Sequence, residues 1–324
     1  MSDPQPIAVL CPGQGAQSVG MGSAWAQTSE EARAAFDRAD DLLAAEAEKL
    51  GWSQTAALSE LCSEGPAETL SRTDVSQPAL YTAGVASWHA LRAQMNLGPA
   101  EGPIAAAAGL SLGEYTALHV AGAISFEDGL RLVTLRGRAM QDAAEASPSS
   151  MVALIGADEA AATELCAAAL AEAGDGEILV PANFNAPGQI VISGSVAACD
   201  AAERLASDRG LRATRLAVAG AFHSPLMAPA AARLGEALAT IEIKPPVCPV
   251  LSNVTGKPHE PEPASVRTRL VQQLTSPVRW AECCAWIAAE LPGVRPHELA
   301  PGKTLAGLMR RIDKTLKVQS HDTP

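Results

Sequence analysis

Five consecutive residues, Gly109-Leu110-Ser111-Leu112-Gly113, constrain this chain more than any other segment. The pattern G-x-S-x-G places a serine on a sharp strand-to-helix turn, because the flanking glycines permit a tight backbone and close packing. It therefore demands a strand before it and a helix after it. Ile104 to Gly109 is ambiguous in isolation: four alanines favour helix, while its length and bracketing glycines suit a buried strand. The motif decides for a strand. Leu112 to Val120 then supplies an apolar helix whose first N–H groups point at the serine, where they could stabilise an oxyanion. In an Ala- and Gly-rich chain such a match also arises by chance, so its surroundings must carry the argument.

Those surroundings read as alternating strands and helices. Ile7 to Cys11 is a strand that stops at Pro12-Gly13, and a Gly-rich turn leads to an Ala-rich helical stretch around Trp25 to Ala47. Pro78 to Leu97 and Phe126 to Ala146 read as helices, the latter ending in a Ser147-Pro148-Ser149-Ser150 linker. The texture then changes. Met151 to Ile155, Ile178 to Ala182, Gln189 to Ser193 and Ala213 to Val218 are strands, and Asp158 to Ala171 and Val196 to Asp208 are helices. This β-α-β-β-α-β order is the ferredoxin-like signature. Afterwards a strand from Val247 to Leu251, helices over Val266 to Leu274 and Trp280 to Glu290, and a last strand and helix from Val294 return to α/β alternation. The expected architecture is a large α/β-hydrolase-like domain with a parallel sheet, residues 1–147 and 219–324. A small ferredoxin-like domain, residues 148–218, is inserted in it.

Composition removes several function classes. A chain of 324 residues with 48% hydrophobic content can bury a sizeable core. A net charge of −12 and few aromatic residues argue against a nucleic-acid surface. Met1 to Ala8 has no basic leader, and no apolar run is long enough to span a bilayer, so the expected compartment is the cytoplasm, with no membrane partner. Seven scattered cysteines without a C-x-x-C pair read as reduced, buried thiols and give no metal site. A run of Arg310, Arg311, Lys314 and Lys317 offers a basic patch for an acidic partner, or simply a solvated last helix turn.

A serine nucleophile needs a base, and six histidines are available. His119 is eight residues along the helix from Ser111, roughly 12 Å away along the axis, beyond reach. His89 falls in mid-helix, and His259, His297 and His321 fall in polar or terminal segments. His223, in Gly220-Ala221-Phe222-His223-Ser224-Pro225, lies where the small domain returns to the large one. Loops at domain junctions commonly carry catalytic groups, though a histidine packed there for structure would look the same. Arg136 is the more informative residue. Its neighbours at three and four residues are Leu132, Val133, Ala139 and Met140, so it projects from the apolar stripe. Arg131 and Arg138 sit beside Glu127 or Asp142 and read as solvated. An inward guanidinium needs an anion, either a buried acidic side chain or a substrate carboxylate. Two look-alikes fail: Gly13-Gln14-Gly15 has Ser18 where a dinucleotide loop needs its third glycine, and Pro301-Gly302-Lys303-Thr304 has His297 where a phosphate loop opens with glycine.

Taken together, these segments resemble the malonyl-CoA:acyl carrier protein transacylase family over nearly the whole chain. The markers are Pro12 to Gln17, Ser76 to Ala79, Gly109 to Tyr115, Leu135-Arg136-Gly137, Asn183 to Gln189, Phe222-His223-Ser224, Gln272-Gln273-Leu274 with Pro277-Val278, and Pro301-Gly302-Lys303. The resemblance implies Ser111 as nucleophile, His223 as base, and the backbone N–H groups of Gln14 and Leu112 as oxyanion hole. It also implies that Arg136 holds the malonyl carboxylate and that the Gln273 main-chain carbonyl orients the histidine. Phe222 resembles the ring that selects malonyl over branched donors. Two positions depart from the family pattern, Leu110 where histidine is common and Ala300 where glycine is. The implied reaction is ping-pong transfer of malonyl from coenzyme A to an acyl carrier protein for fatty-acid synthesis, by a monomer with no metal or cofactor. A stand-alone malonyl acyltransferase serving a polyketide synthase shares every motif. A serine hydrolase would usually add a triad acid and would need no inward arginine, and a non-catalytic binding module would not need Ser111, His223 and Arg136 together.

Overall fold

The computed structural model describes residues 5–95 and 104–324. Among these, the strands are β1 (Ile7–Cys11), β2 (Ile104–Gly109), β3 (Ser149–Ile155), β4 (Leu179–Ala186), β5 (Gln189–Ser195), β6 (Arg212–Arg215), β7 (Val250–Leu251), β8 (Arg295–Glu298) and β9 (Gln319–Ser320). They form two sheets. One is parallel with strand order β7-β2-β1-β8-β9, and the other is antiparallel with order β4-β5-β3-β6. All five residues of β1 are buried without alternation, as expected of a central parallel strand covered on both faces. The antiparallel sheet carries its helices, Glu159–Ala173 and Val196–Asp208, on its own small core of residues such as Leu165, Ile192 and Cys199. It is tied to the rest through β4, where Phe184 N donates to Val278 O and Val278 N to Ala182 O, both at 2.8 Å.

The four alanines of β2 are in a strand despite their helix propensity, because β2 pairs with β1 from Ile104 to Gly109 and its small side chains let flanking helices close over the sheet. The helix Phe126–Ala146 begins with Ser125 capping the Asp128 N–H at 3.0 Å. It packs tightly on the helix Thr73–Gln94, since a side-chain carbon on Gly137 would lie 2.7 Å from the Thr73 carbonyl oxygen. That close approach sets Arg136 beside Gln77.

Several sequence expectations shift. The Trp25 to Ala47 stretch is two helices, Ser23–Thr28 and Glu30–Ala45, because Ser29 is extended and caps the second. The helix expected over Pro78 to Leu97 is Thr73–Gln94, with Pro78 inside it rather than at its head, and Leu97 lies outside the described residues. Ser149 and Ser150 belong to β3 rather than to a linker, paired with Ser195 and Gly194. The strand expected over Ala213 to Val218 is Arg212–Arg215, and that over Val247 to Leu251 is Val250–Leu251. Helices Leu58–Glu64, Ala67–Ser71 and Ala228–Thr240 have no counterpart in the sequence reading. No helix among the described residues is long and apolar enough to cross a membrane, and all seven cysteines are buried free thiols.

Candidate active site

Ser111 sits where β2 turns into the helix Gly113–Val120. The backbones meet so closely that a side-chain carbon on Gly109 would lie 1.9 Å from the Gly113 carbonyl carbon, and one on Gly113 2.1 Å from the Cys11 carbonyl oxygen. The turn forces Ser111 into left-handed backbone, φ 52°. Among the described non-glycine residues only His223, φ 57°, shares that conformation. Asn253 braces the turn: the Ser111 N–H donates to its Oδ1 at 2.6 Å, and its Nδ2 donates to the Gly109 carbonyl at 2.8 Å.

His223 Nε2 lies 2.8 Å from Ser111 Oγ, and its Nδ1 lies 2.7 Å from the Gln273 carbonyl oxygen. A carbonyl can only accept, so Nδ1 carries the proton and the Nε2 lone pair faces the serine hydroxyl. Burial, and then the Arg136 charge, push the imidazole down to about 4, against the opposing pull of the Gln273 carbonyl. The ring is neutral at neutral pH, the state a general base requires.

Arg136 is 1% exposed. Its Nη1 donates to Gln77 Oε1 at 2.7 Å, and its Nη2 to Gln273 Oε1 at 2.9 Å and to Ser111 Oγ at 3.1 Å. Its guanidinium also lies over the Tyr115 ring, 5.5 Å from the centroid. Burial lowers its pKa, with the Tyr115 and Glu114 side chains opposing. No carboxylate contacts it among the described residues. Arg131 and Arg138, expected to be solvated, are instead half-buried in ion pairs. Arg131 pairs with Glu46 and Asp128, and Arg138 with Asp142 and Asp74, while Glu127 pairs with Arg38.

Between the two sheets lies a cavity of about 360 Å³, lined by Gln14, Ser111, Phe222 and His223 on one side and by Asn183 and Val191 on the other. The backbone N–H groups of Gln14 and Leu112 have no protein acceptor among the described residues. Leu110 also lines the cavity. Ala300 is buried, its N–H donating to Ser87 Oγ at 3.1 Å.

Three polar residues behind the serine have no role in the sequence reading. Glu114 Oε2 accepts from Gln273 Nε2 at 2.8 Å and from the Asn253 N–H at 3.0 Å, and its Oε1 lies 2.6 Å from His259 Nε2. His259 is therefore buried rather than part of a polar surface segment. His297 and His321 are also buried, 2.8 Å apart, because the C-terminal segment returns to the sheet as β9. The inward direction of Glu114 had a signal, an acid among Leu112, Tyr115, Ala117 and Leu118. Asn253 had none.

The fold and the site together define an acyltransferase. The chain matches the acyl transferase domain model over residues 9–317. It is 40% identical over 320 residues to the malonyl CoA-acyl carrier protein transacylase of Salmonella typhimurium, covering 98% of this chain and 96% of that one. With the enzyme of the same name from Bacillus subtilis it shares 38% identity over 98% of this chain and 94% of the relative. The solved malonyl-CoA:acyl carrier protein transacylase from Xanthomonas oryzae superposes with a TM-score of 0.87 at 42% identity, covering 99% of this chain and 96% of the other. A malonyl-transacylase solved in complex with its type II PKS acyl-carrier protein gives 0.87 at 36% identity, over 98% and 96%. The chain belongs to the malonyl CoA-acyl carrier protein transacylase family.

Proposed function

We propose that this enzyme transfers malonyl from malonyl-CoA to the phosphopantetheine thiol of an acyl carrier protein through a malonyl ester on Ser111, for fatty-acid synthesis. One observation carries the reading. Ser111 Oγ is simultaneously within 2.8 Å of a neutral histidine nitrogen and within 3.1 Å of a buried guanidinium, so nucleophile, base and carboxylate anchor share one point.

In this mechanism His223 Nε2 takes the serine proton as Oγ attacks the thioester carbonyl. The free N–H groups of Gln14 and Leu112 receive the oxyanion. Arg136 holds the distal carboxylate in a two-bond fork. The Gln273 main-chain carbonyl fixes the imidazole and stabilises its charge when it becomes protonated. As the C–S bond breaks, His223 returns the proton to the departing thiolate, and coenzyme A leaves. The carrier thiol then gives its proton to His223, attacks the ester carbonyl, and the serine recovers its proton as leaving group. The residues present supply every proton transfer, so no metal or bound cofactor is invoked. Phe222, on the cavity wall, is the ring that crowds an α-methyl branch.

The β-α-β-β-α-β order and the strand order β4-β5-β3-β6 support reading residues 148–218 as a ferredoxin-like subdomain. In that reading it is inserted in an α/β-hydrolase-like domain of residues 1–147 and 219–324. We place the enzyme in the cytoplasm as a monomer with neither nucleic-acid nor membrane partners. A second reading, service to a polyketide synthase, draws on the likeness to the malonyl-transacylase solved with its type II PKS carrier.

Intact mass after mixing with malonyl-CoA, and then with holo carrier protein, tests the proposal. A malonyl adduct discharged by the carrier is expected, and none on Ser111→Ala. An adduct lost equally fast to water would replace the transferase by a hydrolase. Comparing discharge by fatty-acid and polyketide carriers separates the two pathways.

A further inference from the structure

The reaction as described leaves Glu114 without a task, although it is fully buried and three polar groups converge on its carboxylate. A buried carboxylate is costly unless it is both hydrogen-bonded and balanced by positive charge. The hydrogen bonds are present. His259 donates one, but its Nδ1 is buried without an acceptor among the described residues, which suits the bare nitrogen of a neutral ring with its proton on Nε2. The histidine therefore bonds the anion without neutralising it.

Arg136 has the complementary problem, a buried cation whose bonded partners, Gln77, Gln273 and Ser111, are all neutral. One amide separates the two charges. Gln273 Oε1 accepts from Arg136 at 2.9 Å, and Gln273 Nε2 donates to Glu114 at 2.8 Å and to the Ser111 carbonyl at 3.0 Å. An amide between a guanidinium and a carboxylate has one favourable orientation, oxygen to the cation and NH₂ to the anion. The same residue's main-chain carbonyl holds His223.

We propose that Glu114 is the resting counter-ion of Arg136, coupled through the Gln273 side chain, and so a positioning residue that limits how tightly the substrate carboxylate is held. This rests on the reading of Arg136 as the malonyl anchor. When the malonyl carboxylate arrives, two anions share one cation, and their repulsion across a low-dielectric interior weakens the hold. The acyl group is thus secured for attack yet released to the carrier.

Glu114→Gln tests this with little change of shape. Its amide oxygen can accept from Asn253 and Gln273, and its NH₂ can donate to His259 once that ring moves its proton to Nδ1. The expected result is a fall of about tenfold in half-saturating malonyl-CoA for Ser111 acylation, with acetyl-CoA unmoved. A loss of maximal rate common to both donors, from a disturbed turn, does not alter that comparison.

Melting temperatures of Glu114→Gln, Arg136→Gln and the double variant give a readout independent of turnover. If the two charges balance each other, the double variant recovers at least half of the melting temperature lost in Glu114→Gln, and it folds even where that single variant does not. Additive losses, a double variant that stays unfolded, or an unchanged malonyl-to-acetyl half-saturation ratio in folded Glu114→Gln would overturn the proposal. Arg136→Gln by itself separates the two levels. If it leaves the malonyl-to-acetyl ratio intact, the anchor reading fails. If it collapses the ratio while Glu114→Gln changes nothing, only the counter-ion assignment fails.

Discussion

Replacing Arg136 with alanine asks most directly whether the site is built for a substrate carboxylate. The guanidinium is 1% exposed and touches Ser111 Oγ, so a malonyl group esterified there places its free carboxylate within reach of a cation that has no carboxylate in contact among the described residues. Removing one partner of a buried charge pair costs about 2–5 kcal/mol, which corresponds to roughly 30-fold to several thousand-fold in kcat/KM for malonyl-CoA. Acetyl-CoA has no carboxylate and should lose little. The fold loses stability too: Gln77 Oε1 and Gln273 Oε1 lose a donor, at about 1–3 kcal/mol each, and Glu114 behind Gln273 loses its balancing charge, offset in part because a buried, desolvated cation disappears. A lower melting temperature is therefore expected as well, and the malonyl-to-acetyl ratio is the deciding readout. The assay is single-turnover acylation of Ser111 with each thioester, beside a thermal melt. An unchanged malonyl-to-acetyl ratio with a large fall in melting temperature would refute the argument and make Arg136 a structural residue.

His223→Ala should slow acylation by two or more orders of magnitude with the melt preserved, and near-normal acylation would remove His223 as the base. Because burial and Arg136 hold His223 down to about 4, acylation by free enzyme should stay flat from neutral pH to about 5 and fall as protonation removes the base near 4. An acid limb near 6.5 in the pH–rate profile contradicts that. The same depressed pKa means the unfolded chain binds a proton that the native site refuses, so native stability should decline between about pH 6.5 and pH 4, as denaturant melts across that range would report. Phe222→Ala, enlarging the cavity wall, should erase a malonyl preference over methylmalonyl of about 1–3 kcal/mol, and equal specificity constants for the two donors in the unaltered enzyme would show that the ring does not select. Gly109→Ala drives a carbon to 1.9 Å from the Gly113 backbone, which cannot move aside cheaply. A destabilisation of about 3 kcal/mol or more is expected in chemical denaturation, and a near-native midpoint would mean that the turn relaxes.

Local pattern was enough for the elements that present the chemistry. The limits of β1 and β2 and of the helices Phe126–Ala146, Val196–Asp208 and Trp280–Glu290 follow from apolar periodicity, glycines and caps, which act over a few residues. The same 3.6-residue period turned Arg136 inward, and the G-x-S-x-G spacing placed Ser111 on its turn. Local pattern misled where a residue's surroundings come from far along the chain. His259 and His321 stand in polar stretches yet are buried, one against Glu114 and the other against His297, 145 and 24 residues away. Gln77, Asn253 and the side chain of Gln273 reach the site across separations of 59, 142 and 137 residues, counted to Arg136, Ser111 and Arg136 respectively. Whether Arg136 rests against an acid or against neutral amides could be decided only after Gly137 let two helices close on each other and Val278 drew β4 against the parallel unit. Periodicity reports which way a side chain points from its own element. What it meets there is set by the packing of other elements, and that packing exists only in the folded chain.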